Sequence, residues 1–133
     1  MVYKGGVVAY ANEVKHRLLG VEPGILQKHG SVSKECAEAM ALGVAVRLET
    51  DYALSITGIA GPDGGSAEKP VGTVWFGLAA RGTVSAVQAQ FSGNRTKIRE
   101  AATQKGLELI TASIMASFEL DNPADGGVTL GQA

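Results

Sequence analysis

Apolar residues recur along the chain in two distinct periods. In SKECAEAMALGVAVRLET, residues 33–50, Cys36, Ala37, Met40, Ala41, Val44, Ala45 and Leu48 return every three or four positions, which is the period of an amphipathic helix. Its many alanines predict close packing against a sheet, with Ser31 or Ser33 as N-cap. A second helical run starts after Ser92 or Asn94 and carries Ile98, Ala101, Ala102, Leu107, Leu109, Ile110, Ile114 and Met115. Gly106 inside it costs roughly 1 kcal/mol against alanine, which predicts that another element packs closely there. Between the two lie strand-like runs. YALSIT, residues 52–57, precedes a polar segment; TVWFGLAA, residues 73–80, is nearly continuous in apolar residues, as in a central strand. TVSAVQAQF, residues 83–91, alternates in part and pairs antiparallel with it across a tight Arg81-Gly82 turn.

Upstream, GGVVAYAN, residues 5–12, has a β-branched pair and an aromatic, which favours a short strand. Asn12 then caps a helix of about two turns, with Val14, Leu18 and Leu19 on one side and Gly20 at its end. A weak helix follows, with Pro23 near its start and Gly30 at its C-cap. From Asp121 the sequence has turn formers and no period, which predicts a disordered tail over residues 121–133 after one domain at 1–120.

Composition narrows the class. The chain has 133 residues, 45% of them hydrophobic, enough for one core. Twelve basic and thirteen acidic residues leave a net charge of -1, so no overall field points to nucleic acid or an anionic membrane. One cysteine, Cys36, excludes an internal disulfide and a cysteine-based metal site, and reads as a small buried hydrophobe. No apolar run reaches the length of a membrane span and no signal-peptide pattern opens the sequence, so the expected location is cytoplasmic.

Candidate chemistry centres on GIAGPDGGSAEKPVGT, residues 58–73, a glycine-rich segment restricted by Pro62 and Pro70 and held between two apolar runs. It reads either as a ligand-shaping loop or as a long surface turn. Lys69 is followed by Pro70, so the phosphate-loop fingerprint is absent, as is GxGxxG. Lys15, Thr57, Asp63, Lys69 and Arg95 are the polar residues that strand ends and helix starts could gather into a crevice. Lys15 reads as a general base or a solvated lysine, and Arg95 as an anion ligand or a surface arginine. His16 and His29 read as solvated helix positions and make no metal site.

The segments VVAYANEVKHRLLGV, HGSVSKECAEAMA, YALSITGIAGPDGGSAEKPVGTVWFGLA and FSGNRTKIREAA together resemble the C-terminal domain family of the competence/damage-inducible protein CinA. That family includes nicotinamide-nucleotide amidohydrolases, which convert nicotinamide mononucleotide to nicotinic acid mononucleotide and ammonia. The resemblance implies an α/β fold, a three-layer α/β/α sandwich with a mixed sheet, and a Ser/Lys dyad with Lys15 as base. It places Thr57 near the reacting amide and Arg95 on the substrate phosphate or polar groups. Tyr10 and Asn12 lend local support, and Gly58, Ala60, Gly61, Asp63 and Gly64 frame a small-molecule nucleotide. No metal or redox cofactor is implied, and a homo-oligomer is expected.

One departure stands beside these matches. The family's nucleophile lies in an AESCTGG segment before the first strand, and this sequence has none. Relative to the family the domain is N-terminally truncated by about one strand and one helix. Ser55, Ser66 and Ser92 lack the required setting. Three explanations follow: Met1 is an internal methionine of a longer, active protein; the chain is an inactive binding domain; or it is an interaction module of competence or damage responses. As it stands, the chain is expected to be inactive.

Overall fold

The strand-like block in mid-chain folds as read. In the computed structural model, which describes residues 3–121, β1 (Tyr52–Gly58), β2 (Thr73–Ala80) and β3 (Thr83–Gln90) form one antiparallel sheet in the order β1-β2-β3. Arg81 and Gly82 both take positive φ, 50° and 87°, which matches the twist of a two-residue hairpin and brings Ala80 opposite Thr83. β2 is central and largely buried, and β3 is the exposed edge.

Helices cover both faces. α1 (Asn12–Leu19) and α2 (Pro23–His29) lead into α3 (Lys34–Leu48), and α4 (Arg95–Asp121) follows the sheet. Alternate residues of β1 separate the layers, as a period of two requires. Ala53 and Ser55 meet α3, while Leu54 and Ile56 lie against Gly106 of α4. Small residues make the first contact close: Ala41, Ala45, Ala53 and Ala79 form one cluster, and a Cβ on Gly77 would overlap the carbonyl of Ala37. Gly106 is explained by the second, since a Cβ there would sit 2.9 Å from Ile56 Cδ1. On that side Phe76, fully buried, meets Phe91 edge-on with centroids 6.4 Å apart.

The α/β class and its three layers therefore stand, but the sheet is wholly antiparallel among the described residues rather than mixed. The reason lies in residues 5–12, expected as a strand and found as irregular chain up to Ala11, with Asn12 already in α1. β-branched residues favour a pleated surface only where a neighbouring strand completes the ladder. Among the described residues none does so, and Val8 and Tyr10 are left exposed. The segment is tied down by Lys4 Nζ, which donates to the carbonyls of Leu48 and Glu49.

Two further expectations change. Asn12 is the first helical residue of α1, not its cap; Ala11 occupies that position without a side-chain bond. The buried stripe of α1 is Lys15 and Leu19, while Leu18 is half exposed. Leu19 is drawn in because α1 ends directly on α3, where its carbonyl occupies the space a Cβ on Gly43 would need. α3 matches its reading more closely: Ser33 caps it by accepting from the Cys36 N–H at 3.1 Å. Asn94 caps α4 by accepting from the Lys97 N–H at 2.9 Å. Of the tail expected at residues 121–133, Asp121 ends α4 and the rest lies outside the described residues.

Candidate functional site

The loop between α2 and α3, His29 to Ser33, is where the polar residues converge. Three successive main-chain carbonyls there each receive a side chain. Lys69 Nζ donates to His29 O at 2.6 Å, Ser33 Oγ to Gly30 O at 2.9 Å, and Thr57 Oγ1 to Ser31 O at 2.6 Å. These donors come from the glycine-rich loop, the cap of α3 and the end of β1, so the site is assembled by the tertiary fold. Thr57 points this way because it shares the α3 side of the sheet with Ala53 and Ser55.

Lys15 approaches from α1. It is 7% exposed, and its Nζ donates to Ala9 O at 2.9 Å. Burying a lysine ammonium is unfavourable without compensating hydrogen bonds, so its position one turn before Leu19 is a structural commitment. Its neighbours are informative. Burial pushes the Cys36 thiol above its ordinary pKa, and the positive charges of Lys15 and Lys69 pull it partly back. Two lysines from distant segments therefore face the first turn of α3, a helix end whose free N–H groups favour anions.

The glycine-rich loop forms a second wall. Gly61 is buried with φ of 80°, a conformation that favours glycine, and its carbonyl accepts from Arg95 Nη1 at 2.9 Å. Arg95, the first residue of α4, thus clamps the loop. Gly58 lies tight against Thr73 and Val74, and Ala60 is half-buried. Asp63 and Gly64 are exposed on the outer turn, while Tyr10 and Asn12 are exposed on the approach to α1.

The structure thus sets Thr57 and Lys69 on the 29–33 loop and joins Arg95 to Gly61, while Lys15 bonds Ala9 O and acts on Cys36 through its charge. It leaves Tyr10, Asn12 and Asp63 exposed to solvent. The sequence reading named Lys69 without giving it a partner, and it passed over the carbonyls of residues 29–31. Their signal was the HGSVS stretch, whose glycine and serines mark a shaped loop before a helix. His29, expected on a solvated face, is half-buried with Nδ1 3.6 Å from Glu35 Oε1. His16 is exposed, with Nδ1 2.9 Å from Val21 O. No group of three His, Cys, Asp or Glu among the described residues could hold a metal ion, and no described helix is long and apolar enough to cross a membrane.

The profile of the CinA C-terminal domain matches residues 1–114. A CinA-like protein of Gemmatimonas aurantiaca is 54% identical over 105 residues, covering 79% of this chain and 24% of that protein. A putative competence-damage inducible protein of Moorella thermoacetica is 48% identical over 117 residues, covering 88% and 28%. The chain thus spans about a quarter of the length of the curated relatives it matches. Among solved structures, competence/damage inducible protein CihA of Agrobacterium tumefaciens superposes with a TM-score of 0.76 at 42% identity, over 79% of this chain and 65% of that one. Competence damage-inducible protein A of Klebsiella pneumoniae gives 0.79 at 31% identity, over 83% and 68%. With its residues 1–114 matched, this chain belongs to the CinA C-terminal domain family.

Proposed function

We propose that this domain carries the substrate-binding and proton-transfer half of an amidohydrolase acting on a nicotinamide nucleotide, with release of ammonia. The observation that carries the reading is Lys15: a lysine 7% exposed, held by one main-chain carbonyl, whose charge reaches Cys36 in the first turn of α3. In this reading Lys15, as its neutral amine, takes the proton from a serine hydroxyl as the oxygen attacks the carboxamide carbon, and N–H donors stabilise the resulting oxyanion. The proton then passes to the departing ammonia, and water hydrolyses the acyl-serine left behind to the carboxylate and free serine. Thr57 keeps the 29–33 loop in place, and the Arg95–Gly61 clamp shapes the wall against which the nucleotide lies.

The serines of the described chain do not supply the nucleophile. Ser33 and Ser55 are buried and donate to the carbonyls of Gly30 and Ala37, and no serine bonds Lys15 among the described residues. The second reading, a nucleotide-binding domain without turnover, rests on this observation. Ammonia release from nicotinamide mononucleotide separates the two. The 133-residue chain should release none, whereas a form extended upstream through an in-frame AESCTGG-like segment should release ammonia and lose that activity in Lys15→Ala. An extended form that binds the nucleotide without releasing ammonia, or whose Lys15→Ala variant turns over unchanged, refutes the amidohydrolase reading.

A further inference from the structure

We infer that the open edge of β1 takes up an extended strand of another polypeptide, uncharged along its length and carrying one cation at the Tyr52 end. The hydrogen bonds of β1 show which groups are on offer. Ile59 N–H donates to Thr73 O at 3.0 Å and Arg81 N–H to Asp51 O at 2.7 Å, so in this antiparallel register the odd-numbered residues of β1 face β2. Tyr52, Leu54 and Ile56 therefore turn their N–H and C=O groups away from the sheet. Among the described residues no other strand meets them, and all three line a cavity of about 870 Å³.

The cavity has the walls that a strand needs. Met40, Val44 and Leu48 of α3 and Leu107, Ile110 and Ile114 of α4 border it, so a chain lying beside β1 finds apolar surface for both of its faces. The segment before α1 borders it as well. Val7 and Ala9 line the cavity while Val8 and Tyr10 are 92% and 89% exposed, which is the alternation of a strand in a segment that has no ladder. Two strand-like runs, each short of a neighbour, thus border one space, and a single extended chain between them serves both. An apolar small molecule would fill the volume but leave the N–H and C=O groups of Tyr52, Leu54 and Ile56 without partners once water is displaced, which is unfavourable. An added strand answers them in its own repeat.

Length and charge select the occupant. Outside the described residues this chain has residues 1–2, too few to follow the seven residues of β1, and residues 122–133, whose one run of strand formers is Val128 to Leu130 between glycines. A second copy cannot bring its own β1 alongside, because α3, α4 and the segment before α1 border that edge in each copy. The charged residues of the cavity are Lys4, Glu49 and Asp51, all beside the start of β1. Lys4 Nζ is held by Leu48 O and Glu49 O at 3.2 Å, so the two carboxylates set the sign and favour a cation at that end. The rest of the lining is uncharged, and a charge carried further along the strand would be buried without a partner.

Amide hydrogen exchange on the intact chain tests this with the acetylated, amidated heptapeptides KVAVAVA and AVAVAVK, one for each strand direction, at up to about 1 mM, the weak end of affinities for so short an interface. With one of them, exchange at Tyr52, Leu54 and Ile56 should slow by about tenfold, and exchange at Ala53, Ser55 and Thr57, already bonded to β2, should change far less. The slowing should be lost in Val7→Glu and in Ile114→Glu, which bring a carboxylate to the cavity from two separate segments outside the sheet. It should also be lost when the peptide is N-methylated at every second residue, which keeps its apolar surface and removes donors. No slowing with either peptide overturns the proposal, as does slowing that survives both variants. An equal effect of the N-methylated peptide overturns it in favour of an apolar small-molecule site, and equal binding after glutamate replaces the peptide's lysine overturns the charge assignment. Protection of Tyr52, Leu54 and Ile56 in the free chain overturns it too: a dimer in sedimentation then gives the edge to a second copy, and a monomer gives it to residues 5–11.

Discussion

Gly77 is where the fold leaves the least room, and replacing it tests how α3 is held on the sheet. A Cβ at this position would overlap Ala37 O and lie 2.4 Å from Ser55 Oγ, so Gly77→Ala must either lift α3 or break the Ser55–Ala37 hydrogen bond of 2.6 Å. Three effects compete. Removing a strand glycine favours folding by about 0.5–1 kcal/mol, through the reduced entropy of the unfolded chain. Overpacking against a helix backbone costs about 1–3 kcal/mol, since a carbonyl cannot swing aside as a flexible side chain does. Loss of the buried hydrogen bond adds about 1 kcal/mol. The sum is a destabilisation of about 1–3.5 kcal/mol, a large share of the roughly 5–15 kcal/mol typical of a domain. Urea unfolding followed by circular dichroism reads it as a lower midpoint at unchanged slope. Gly24→Ala is the control: it lies within α2, has nothing within 4 Å, and should stabilise by about 0.5–1 kcal/mol. A midpoint for Gly77→Ala equal to or above that of the parent would refute the reasoning, because α3 would then not rest on the backbone of β2.

The remaining predictions concern the walls of the site. Thr57→Val keeps the shape but leaves Ser31 O without its donor, and should lower stability by about 1–2 kcal/mol in the same titration; no loss would mean the loop is held by other contacts. Arg95→Met removes the bond to Gly61 O, so amide exchange across residues 58–66 should accelerate more than in the sheet. The raised Cys36 thiol gives a pH dependence. Its folded pKa lies above the unfolded one because burial outweighs Lys15 and Lys69, so its contribution is fully present below the unfolded pKa and is lost as pH rises through the folded pKa. Alkylation of the native protein should therefore stay slow around pH 8 and slow further in Lys69→Met, which removes one of the two charges drawing the thiol down. Faster alkylation in Lys69→Met would reverse the assigned sign.

The parts of this fold that could be read from sequence are those whose causes are local. α3 announces itself through seven apolar positions in one period and a serine three residues before Cys36, and the β2–β3 hairpin through two turn residues between apolar runs. Residues 5–12 have equally good strand composition but run as irregular chain into α1 at Asn12, because a ladder needs a partner and that requirement is not written in the segment itself. α1 shows the same limit on a smaller scale: the apolar pattern proposed Val14, Leu18 and Leu19, yet contact with α3 buries Lys15 beside Leu19 and leaves Leu18 half exposed. The site lies further still from local pattern. Lys69 meets His29 O across 40 positions of sequence, Arg95 meets Gly61 O across 34, and Thr57 meets Ser31 O across 26. Each bond joins a side chain to a backbone carbonyl, which every residue possesses, so the donor's identity says nothing about where its acceptor lies. That is why Lys69 was visible as a residue but not as a partner. It also gives the glycine-rich loop a specific role: Lys69 and Gly61 fasten it to the loop at His29 and to the start of α4. In the proposed reaction the loop would act by fixing the distance between its own wall and Lys15.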